Sequence, residues 1–251
     1  RDSDNTILRK QFPGATLYVV GANSPRGFRR ISAGTVLFDE ISGYPPTAGK
    51  EGDQFLLGSR RAEDYWDKKI IAGSTPTNVG SCKASELYEL SDKRQYHVPC
   101  PHCGHMQPLL WERIDFSGAG TIKNPVYICV GCEKPIEYKK HRWMIERGKW
   151  IAEKPFEGIA GFYIWSAYSY SPGATWHHIV REFLASKDNP EKLKTWVNTW
   201  KGEAWEDAQE RTSSAELYTR REPYATVPEA AAIVTAAVDV QDDRLEVLVK
   251  A

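Results

Sequence analysis

Cys100, Cys103, Cys129 and Cys132 stand as two Cys-x-x-Cys pairs with twenty-five residues between them, in "VPCPHCGHMQPL" and "ICVGCEKPI". Each pair can fold as a tight knuckle whose backbone N–H groups point at sulfur, and two knuckles make a tetrahedral four-thiolate shell. That shell suits structural zinc. A rubredoxin-type iron takes the same ligands, and a reduced pair of plain turns is the metal-free reading. A closed four-sulfur site has no open position for water, so the spacing predicts architecture or a surface rather than catalysis. His102 and His105, beside the ligands, read as surface residues.

Carboxylates supply a second chemistry. "TVLFDEIS", residues 35 to 42, is an apolar strand ending in Asp39 and Glu40. Nucleotide hydrolases built on a parallel sheet put an Asp at such a strand end to hold Mg²⁺, and a neighbouring acid to polarise the attacking water. Any buried strand that runs into a polar loop has the same appearance. About one helix and one strand later, "IIAGSTPTN" places Ser74 and Thr75 at a strand tip. Small hydroxyl residues there can sense a hydrolysed phosphate and pass the change to a moving element; the plain alternative is a polar turn. The two tips in this order point to a nucleotide-driven motor.

No Gly-x-x-x-x-Gly-Lys-Ser/Thr occurs, and Gly49-Lys50 falls after the acidic strand in a Pro-rich loop, where the Lys reads as a solvated charge. Under the motor reading the phosphate-cradling loop is expected upstream of residue 1. Arg26, Arg29 and Arg30 in "NSPRGFRRIS" form a basic loop that could contact a phosphate or simply be solvated. In "AAVDVQDDRLEV", Asp242 and Asp243 suit a hairpin turn, whereas Asp239 sits inside an apolar strand, a costly place unless it binds a metal or partner.

These groups need elements to hold them. Residues 15–22 and 35–38 read as buried parallel strands, 51–66 as a helix and "KKIIAG" as a third strand, the order of an α/β unit. Residues 95–140 become short, Pro- and Gly-punctuated segments, an inserted module that the cysteines would staple on as a small protrusion. Its "KKHRW", residues 139–143, is either a contact surface or a solvated charge run. Residues 158–170 are aromatic and half alternating; 174–187 and 190–205 have helical periodicity, with a cap at Asp188 or Asn189 and Pro190 in the first turn. A linker is predicted over 206–230 and a strand–turn–strand over 233–249.

At 251 residues the chain can bury a large core, and nine Trp with twelve Tyr argue against disorder. With 33 Lys+Arg against 33 Asp+Glu there is no global basic footprint, so any nucleic-acid contact must come from local patches. No apolar run approaches the length of a membrane span, and no signal peptide opens the chain, which reads as soluble, without a membrane partner, and as a piece of a longer chain. Four paired cysteines with one left over, Cys82, suit a reducing, intracellular setting.

Taken together, "VVGANSP", "VLFDEIS", "EGD", "GSTPT", "RQYHVPCPHCGHMQPL", "VNTWKGEAWED" and "AAVDVQDDRLEV" resemble the large terminase subunit of tailed bacteriophages, the lambda-like group, in that family's order along nearly the whole chain. The resemblance implies an α/β fold: a P-loop-type (ASCE) parallel-sheet ATPase domain over 1–205 with a zinc ribbon inserted at 95–140, a linker, and from 231 to 251 the first hairpin of an RNase H-like nuclease. It implies a motor that hydrolyses ATP to move double-stranded DNA into a procapsid and cuts concatemeric DNA. Asp39 would hold Mg²⁺, Glu40 would be the catalytic carboxylate, Ser74 and Thr75 the coupling motif, Asp239 the first nuclease metal ligand, and Arg29 the Arg of the family's loop after "ANSP". The four cysteines would be the Zn²⁺ ligands of the insertion. The implied partners are the small terminase subunit, the portal protein and further copies in a ring, in the host cell cytoplasm. The family's P-loop and later nuclease acids have no counterpart among these residues.

Two other readings compete on the residues alone. A helicase-like remodelling ATPase with a zinc ribbon explains the acidic strand and the coupling turn but leaves "AAVDVQDDRLEV" idle. A noncatalytic zinc-ribbon module makes both acidic strands structural.

Overall fold

A computed structural model describes residues 5–29, 31–45, 47–117, 124–206, 235–240 and 245–250. By contacts the chain divides into two units, Arg1–Glu206 and Asp207–Ala251.

The first unit opens on a hairpin. β1 (Arg9–Phe12) pairs antiparallel with β2 (Ala15–Tyr18), Phe12 opposite Ala15. The buried parallel strand expected over 15–22 is therefore a short, exposed antiparallel one. Pro13 restricts its own φ and Gly14 takes φ 77, the combination that reverses the chain just before the apolar run.

The α/β unit is present. After α1 (Pro25–Arg29), β3 (Thr35–Asp39) runs parallel to β4 (Lys69–Gly73), in register from Thr35 opposite Lys69 to Asp39 opposite Gly73. The crossover holds α2 (Gln54–Ser59), whose first turn is capped by Asp53, its Oδ1 accepting the Leu56 N–H at 2.9 Å. A single helical turn, Arg60–Ala62, continues it. Phe38 is buried under α2, whereas Leu37, opposite Ile71, is 67% exposed. Burial expected on both faces is met on one: among the described residues β3 and β4 make a two-stranded sheet.

The main core lies further along. After α3 (Lys83–Glu89), β5 (Arg94–Pro99) pairs antiparallel with β6 (Met106–Pro108) at one end. β7 (Ile114–Asp115), β8 (Val126–Ile128) and β9 (Pro135–Glu137) make a separate antiparallel sheet. Past α4 (His141–Ile145), β10 (Lys149–Ile151) flanks β5 antiparallel and β11 (Phe162–Tyr163) flanks it parallel. The buried Asp92 carboxylate fixes that parallel pairing, accepting from Arg94 Nε at 2.8 Å and from the Gly161 N–H at 3.1 Å. A buried charge is tolerated there because it is paired and hydrogen-bonded.

Two helices close the core. α5 (Trp176–Ser186) buries Trp176, Ile179 and Val180, the i, i+3, i+4 face of one helix, and Thr175 caps it by accepting the His178 N–H. α6 (Pro190–Trp196) starts on Pro190, as its sequence predicts, and of the two candidate caps, Asp188 and Asn189, it is Asn189 that accepts the Lys192 N–H. It widens into a π turn, Val197–Lys201, and stops at Gly202, φ 68.

The cysteine region is not a protrusion. Cys100 and Cys129 belong to one buried cluster with Val98, Tyr127, Trp165, Trp176 and Trp196. Trp165, Trp176 and Trp196 supply packing that the punctuated sequence of 95–140 lacks, and they lie downstream of that segment, outside any local pattern.

In the second unit β12 (Thr235–Val240) pairs antiparallel with β13 (Leu245–Lys250), placing Asp239 opposite Glu246. Asp242 and Asp243, expected in the turn, lie outside the described residues, as does Arg30.

Candidate functional site

Parallel pairing in register brings Asp39 and Gly73 side by side at the carboxyl ends of β3 and β4, so the next residues, Glu40 and Ser74, leave the sheet together. Ser74 Oγ donates to Glu40 Oε2 at 3.0 Å, and the Thr75 N–H reaches the same oxygen at 3.3 Å. Glu40 has φ 50 and ψ 47, left-handed for a residue with a Cβ. Such a conformation costs about 1–3 kcal/mol and persists only where its surroundings impose it. Here it starts the turn Ile41–Gly43, closed by the Gly43 N–H on Glu40 O at 2.9 Å.

Two residues that sequence reasoning passed over support this tip. The Ser42 N–H donates to Ser74 Oγ at 3.2 Å, while Ser42 Oγ accepts the Ala84 N–H at 3.2 Å and lies 3.3 Å from Cys82 Sγ. Burial pushes the Cys82 thiol up, but hydrogen bonds with Ser42, Ser85 and the Thr77 N–H outweigh it and bring it down to about 7. The Tyr44 hydroxyl is pushed up by burial and then by the negative charge of Asp39, with a hydrogen bond to the Asp39 backbone opposing. No local pattern marks Ser42 or Cys82; each acts across about forty positions of chain.

Asp39, Glu40, Ser74 and Thr75 line one side of a cavity of 880 Å³. Its other side carries Gln95, Tyr163, Asn198 and Glu203. Asn198 Oδ1 is buried there with no hydrogen-bond partner among the described residues, and Tyr163 Oη donates to Lys201 O at 2.7 Å, fixing the π turn to β11. Past that turn the Trp205 N–H donates to Thr77 O at 2.7 Å and Trp205 O accepts the Val79 N–H at 2.9 Å, so the wall is tied to the segment that follows Ser74 and Thr75. Hard carboxylate oxygens at the mouth suit a hydrated divalent ion such as Mg²⁺.

Arg29 is not brought to this cavity. It is exposed at the end of α1, with its Nε 3.0 Å from Glu51 Oε2. Asp239 belongs to the second unit.

The four cysteine sulfurs lie within 4.8 Å of one another, Cys100 Sγ 3.9 Å from Cys132 Sγ and Cys103 Sγ 3.8 Å from Cys129 Sγ. Four bonds of about 2.3 Å to one zinc put sulfurs about 3.8 Å apart in a tetrahedron. Each pair is a knuckle: the His102 N–H points at Cys100 Sγ, 3.4 Å, and the Gly131 N–H at Cys129 Sγ, 3.3 Å. Such groups stabilise thiolates. The donor set thus fits Zn²⁺, or iron with the same ligands, and closes the site to chemistry. Tyr138 stacks on His141 and both rings meet Trp176 edge-on, while Lys139 of "KKHRW" pairs with Glu137 and Arg142 with Glu146.

Comparison with known proteins gives two family matches: phage terminase large subunit gpA, ATPase domain, over residues 1–150, and terminase large subunit gpA, endonuclease domain, over residues 159–251. The chain is similar to the terminase large subunit of Enterobacteria phage P21, 33% identical over 278 residues, covering 98% of this chain and 42% of that protein. It is 31% identical over 273 residues to the terminase large subunit of Escherichia phage lambda, again covering 98% of this chain and 42% of the relative. The chain therefore spans 42% of the length of these relatives. No solved structure matches. The junction between the two family matches falls at 150–159, ahead of the division by contacts at Glu206, because Trp165, Tyr168, Trp176 and Trp196 bury against residues of the first match.

Proposed function

The chain belongs to the phage terminase large subunit gpA family, and from that premise we propose that it forms part of a DNA-packaging motor. The motor hydrolyses ATP to drive double-stranded DNA into a procapsid and cuts concatemeric DNA with its nuclease. The observation that carries the hydrolytic part is the adjacency of Glu40 and Ser74 at the mouth of the 880 Å³ cavity. In this reading Glu40 takes a proton from water as the water oxygen bonds to the γ-phosphorus. The bond from phosphorus to its bridging oxygen breaks, and ADP leaves. Asp39 is the residue that would hold Mg²⁺, which neutralises charge growing on the phosphate oxygens. Ser74 and Thr75 form the coupling element and Asp239 is the first nuclease metal ligand, while Arg29, which lies at the end of α1 outside the cavity and pairs with Glu51, would have to leave that carboxylate to contact a phosphate.

We assign zinc to Cys100, Cys103, Cys129 and Cys132, and an architectural role to the ion. The domain limits are part of the proposal: an ATPase domain to 205, a linker over 206–230 and the nuclease start from 231. The endonuclease match over 159–251 favours this reading over a remodelling ATPase without a nuclease. Small terminase subunit, portal protein and further copies in a ring are its partners, in the host cytoplasm.

The test is DNA-stimulated ATP hydrolysis by the full-length large subunit, wild type against Glu40→Gln. Loss of a general base lowers turnover by about 10²–10⁴-fold with nucleotide binding kept. Unchanged turnover would reduce "TVLFDEIS" to a structural strand.

A further inference from the structure

The chain is neutral as a whole, with 33 Lys+Arg against 33 Asp+Glu, but its charge is not evenly spread. From Glu133 to Lys149 six Lys and Arg stand against three Glu, a local excess of +3 in seventeen residues. Neither the four cysteines nor the cavity at Glu40 uses these cations. α4 sets their direction. Its buried residues are His141, Met144 and Ile145, the i, i+3, i+4 face, which turns Arg142, Trp143 and Glu146 outward. His141 anchors that face through Ala167 O, 2.8 Å from its Nε2, and through the rings of Tyr138 and Trp176. The turn Tyr138–Lys140 ahead of it leaves Lys139 and Lys140 exposed. A fixed, buried anchor thus carries an exposed row of cations.

Lys139 and Arg142 face a common hollow of 550 Å³, lined also by Tyr138, His141, Glu146 and Tyr170. Each is held by one carboxylate at the surface: Lys139 Nζ is 2.6 Å from Glu137 Oε2, and Arg142 Nε is 2.7 Å from Glu146 Oε1. The two cationic side chains are 70% and 81% exposed, and ion pairs in water of this kind contribute little, so another anion can displace them. Arg147 extends the row, its guanidinium 4.8 Å over the Trp143 ring.

We propose that this face of the cysteine-bearing module, with Lys139 and Arg142 at the hollow and Lys140 and Arg147 beside it, is a docking surface for the phosphate backbone of double-stranded DNA, phosphates taking the place of Glu137 and Glu146. This rests on the reading of the chain as part of a motor that moves double-stranded DNA. Exposed Lys and Arg on phosphates give contact without sequence preference, which is what a protein needs when every stretch of the duplex must pass it. The kind of cation argues against a protein partner: four of the six are Lys, a residue depleted in interfaces between proteins and at home on phosphate. The module's closed sulfur site then has a use, since it holds a contact surface in place without chemistry of its own.

The experiment follows binding of a fluorescent, random-sequence duplex to the full-length large subunit by anisotropy over a series of salt concentrations. Wild type is compared with Lys139→Gln plus Arg142→Gln, with Glu146→Gln, and with Lys187→Gln plus Lys192→Gln, two exposed cations at α5 and α6 that control for the change in net charge. Circular dichroism checks that each variant is folded. The loss of two phosphate contacts is expected to weaken binding several-fold and to lower the slope of log K against log salt by about 2. Glu146→Gln removes the competing anion and should tighten binding, a gain that misfolding cannot produce. A Lys139/Arg142 double variant that binds like wild type, or loses no more than the control pair, overturns the docking surface and leaves the motor reading standing, as does Glu146→Gln without a gain. Normal DNA binding with lost association between copies would give the face to an acidic protein surface and equally overturn it. A wild-type subunit that binds no DNA overturns the reading beneath it.

Discussion

The Tyr168 hydroxyl takes the Leu109 N–H at 2.7 Å and donates to Tyr96 O at 2.7 Å, so one phenol satisfies two backbone groups brought together from sixty and seventy positions away. Trp165 Nε1–H, three residues earlier, donates to Leu109 O at 2.7 Å. Residues 165–168 therefore fasten the cysteine-bearing strands to the helical part of the core by side chain to main chain bonds that no strand ladder supplies.

Tyr168→Phe removes that phenol and keeps the ring. Leu109 N–H and Tyr96 O are then both left without their partner in a buried setting, at about 1–3 kcal/mol for each group. Urea unfolding should show a loss of about 2–4 kcal/mol with an unchanged slope. A loss below about 0.5 kcal/mol would mean that water replaces the phenol.

Metal removal should be felt across the core. Cys100 and Cys129 are buried among Trp165, Trp176 and Trp196, so a strong chelator, or Cys100→Ser, should collapse the near-ultraviolet circular dichroism of those indoles along with the metal content. Elemental analysis is expected to find one zinc per chain. Cys82→Ser, which touches no knuckle, should leave metal content unchanged. An indole signal that survives complete removal of the metal would show that aromatic packing holds this region alone.

His141 gives the fold an acid limit. It is buried, its Nε2–H donates to Ala167 O at 2.8 Å, and burial lowers its pKa, with the bond to Ala167 opposing. The rings against it are Tyr138, Tyr170 and Trp176, and Arg142 beside it pairs with Glu146. The folded state thus binds fewer protons than the unfolded one, so stability from this group is complete above the unfolded value of about 6.5 and declines as pH falls toward the folded one. His141→Gln should flatten the part of the stability profile below about 6.5 that belongs to this residue. Superimposable wild-type and variant profiles would assign the acid sensitivity elsewhere.

Local chemistry was legible in the sequence where it is local in space. "TVLFDEIS" and "IIAGSTPTN" gave two strand tips and their carboxylate and hydroxyls, Cys-x-x-Cys gave both knuckles, and Asn189-Pro190 gave a helix start. What failed was reach. The run at 15–22 looked like a buried strand because its apolar character outweighed the Pro13-Gly14 turn that precedes it. Ser42 and Cys82 could not be tied to Glu40 by spacing, and α6 runs into its π turn without a break in helical periodicity. The cysteine module looked appended because its own segments are short, whereas its core comes from Trp165, Trp176 and Trp196, far downstream.

Gly58 and Phe38 test how tightly the β3 tip, where the proposed base Glu40 sits, is set from behind. A Cβ at Gly58 would stand 2.5 Å from Phe38 Cζ and 2.7 Å from Cε1, well inside contact, so α2 lies against β3 only because residue 58 has no side chain. Phe38 is 2% exposed and its ring also packs 5.1 Å from that of Phe55, which limits its room to move. Gly58→Ala therefore has to push Phe38, and with it the strand end that carries Asp39 and Glu40. Overpacking of this kind costs about 1–3 kcal/mol, of which the better helix propensity of Ala returns about 1. The larger effect is expected on hydrolysis, because a shift near 1 Å at a reacting group lowers turnover by about 10²-fold. Phe38→Leu on the Gly58→Ala background should recover part of both losses, a coupling that a double-mutant cycle measures directly. Additive effects of the two substitutions would show that α2 gives way instead of β3, and that the position of Glu40 does not depend on this contact.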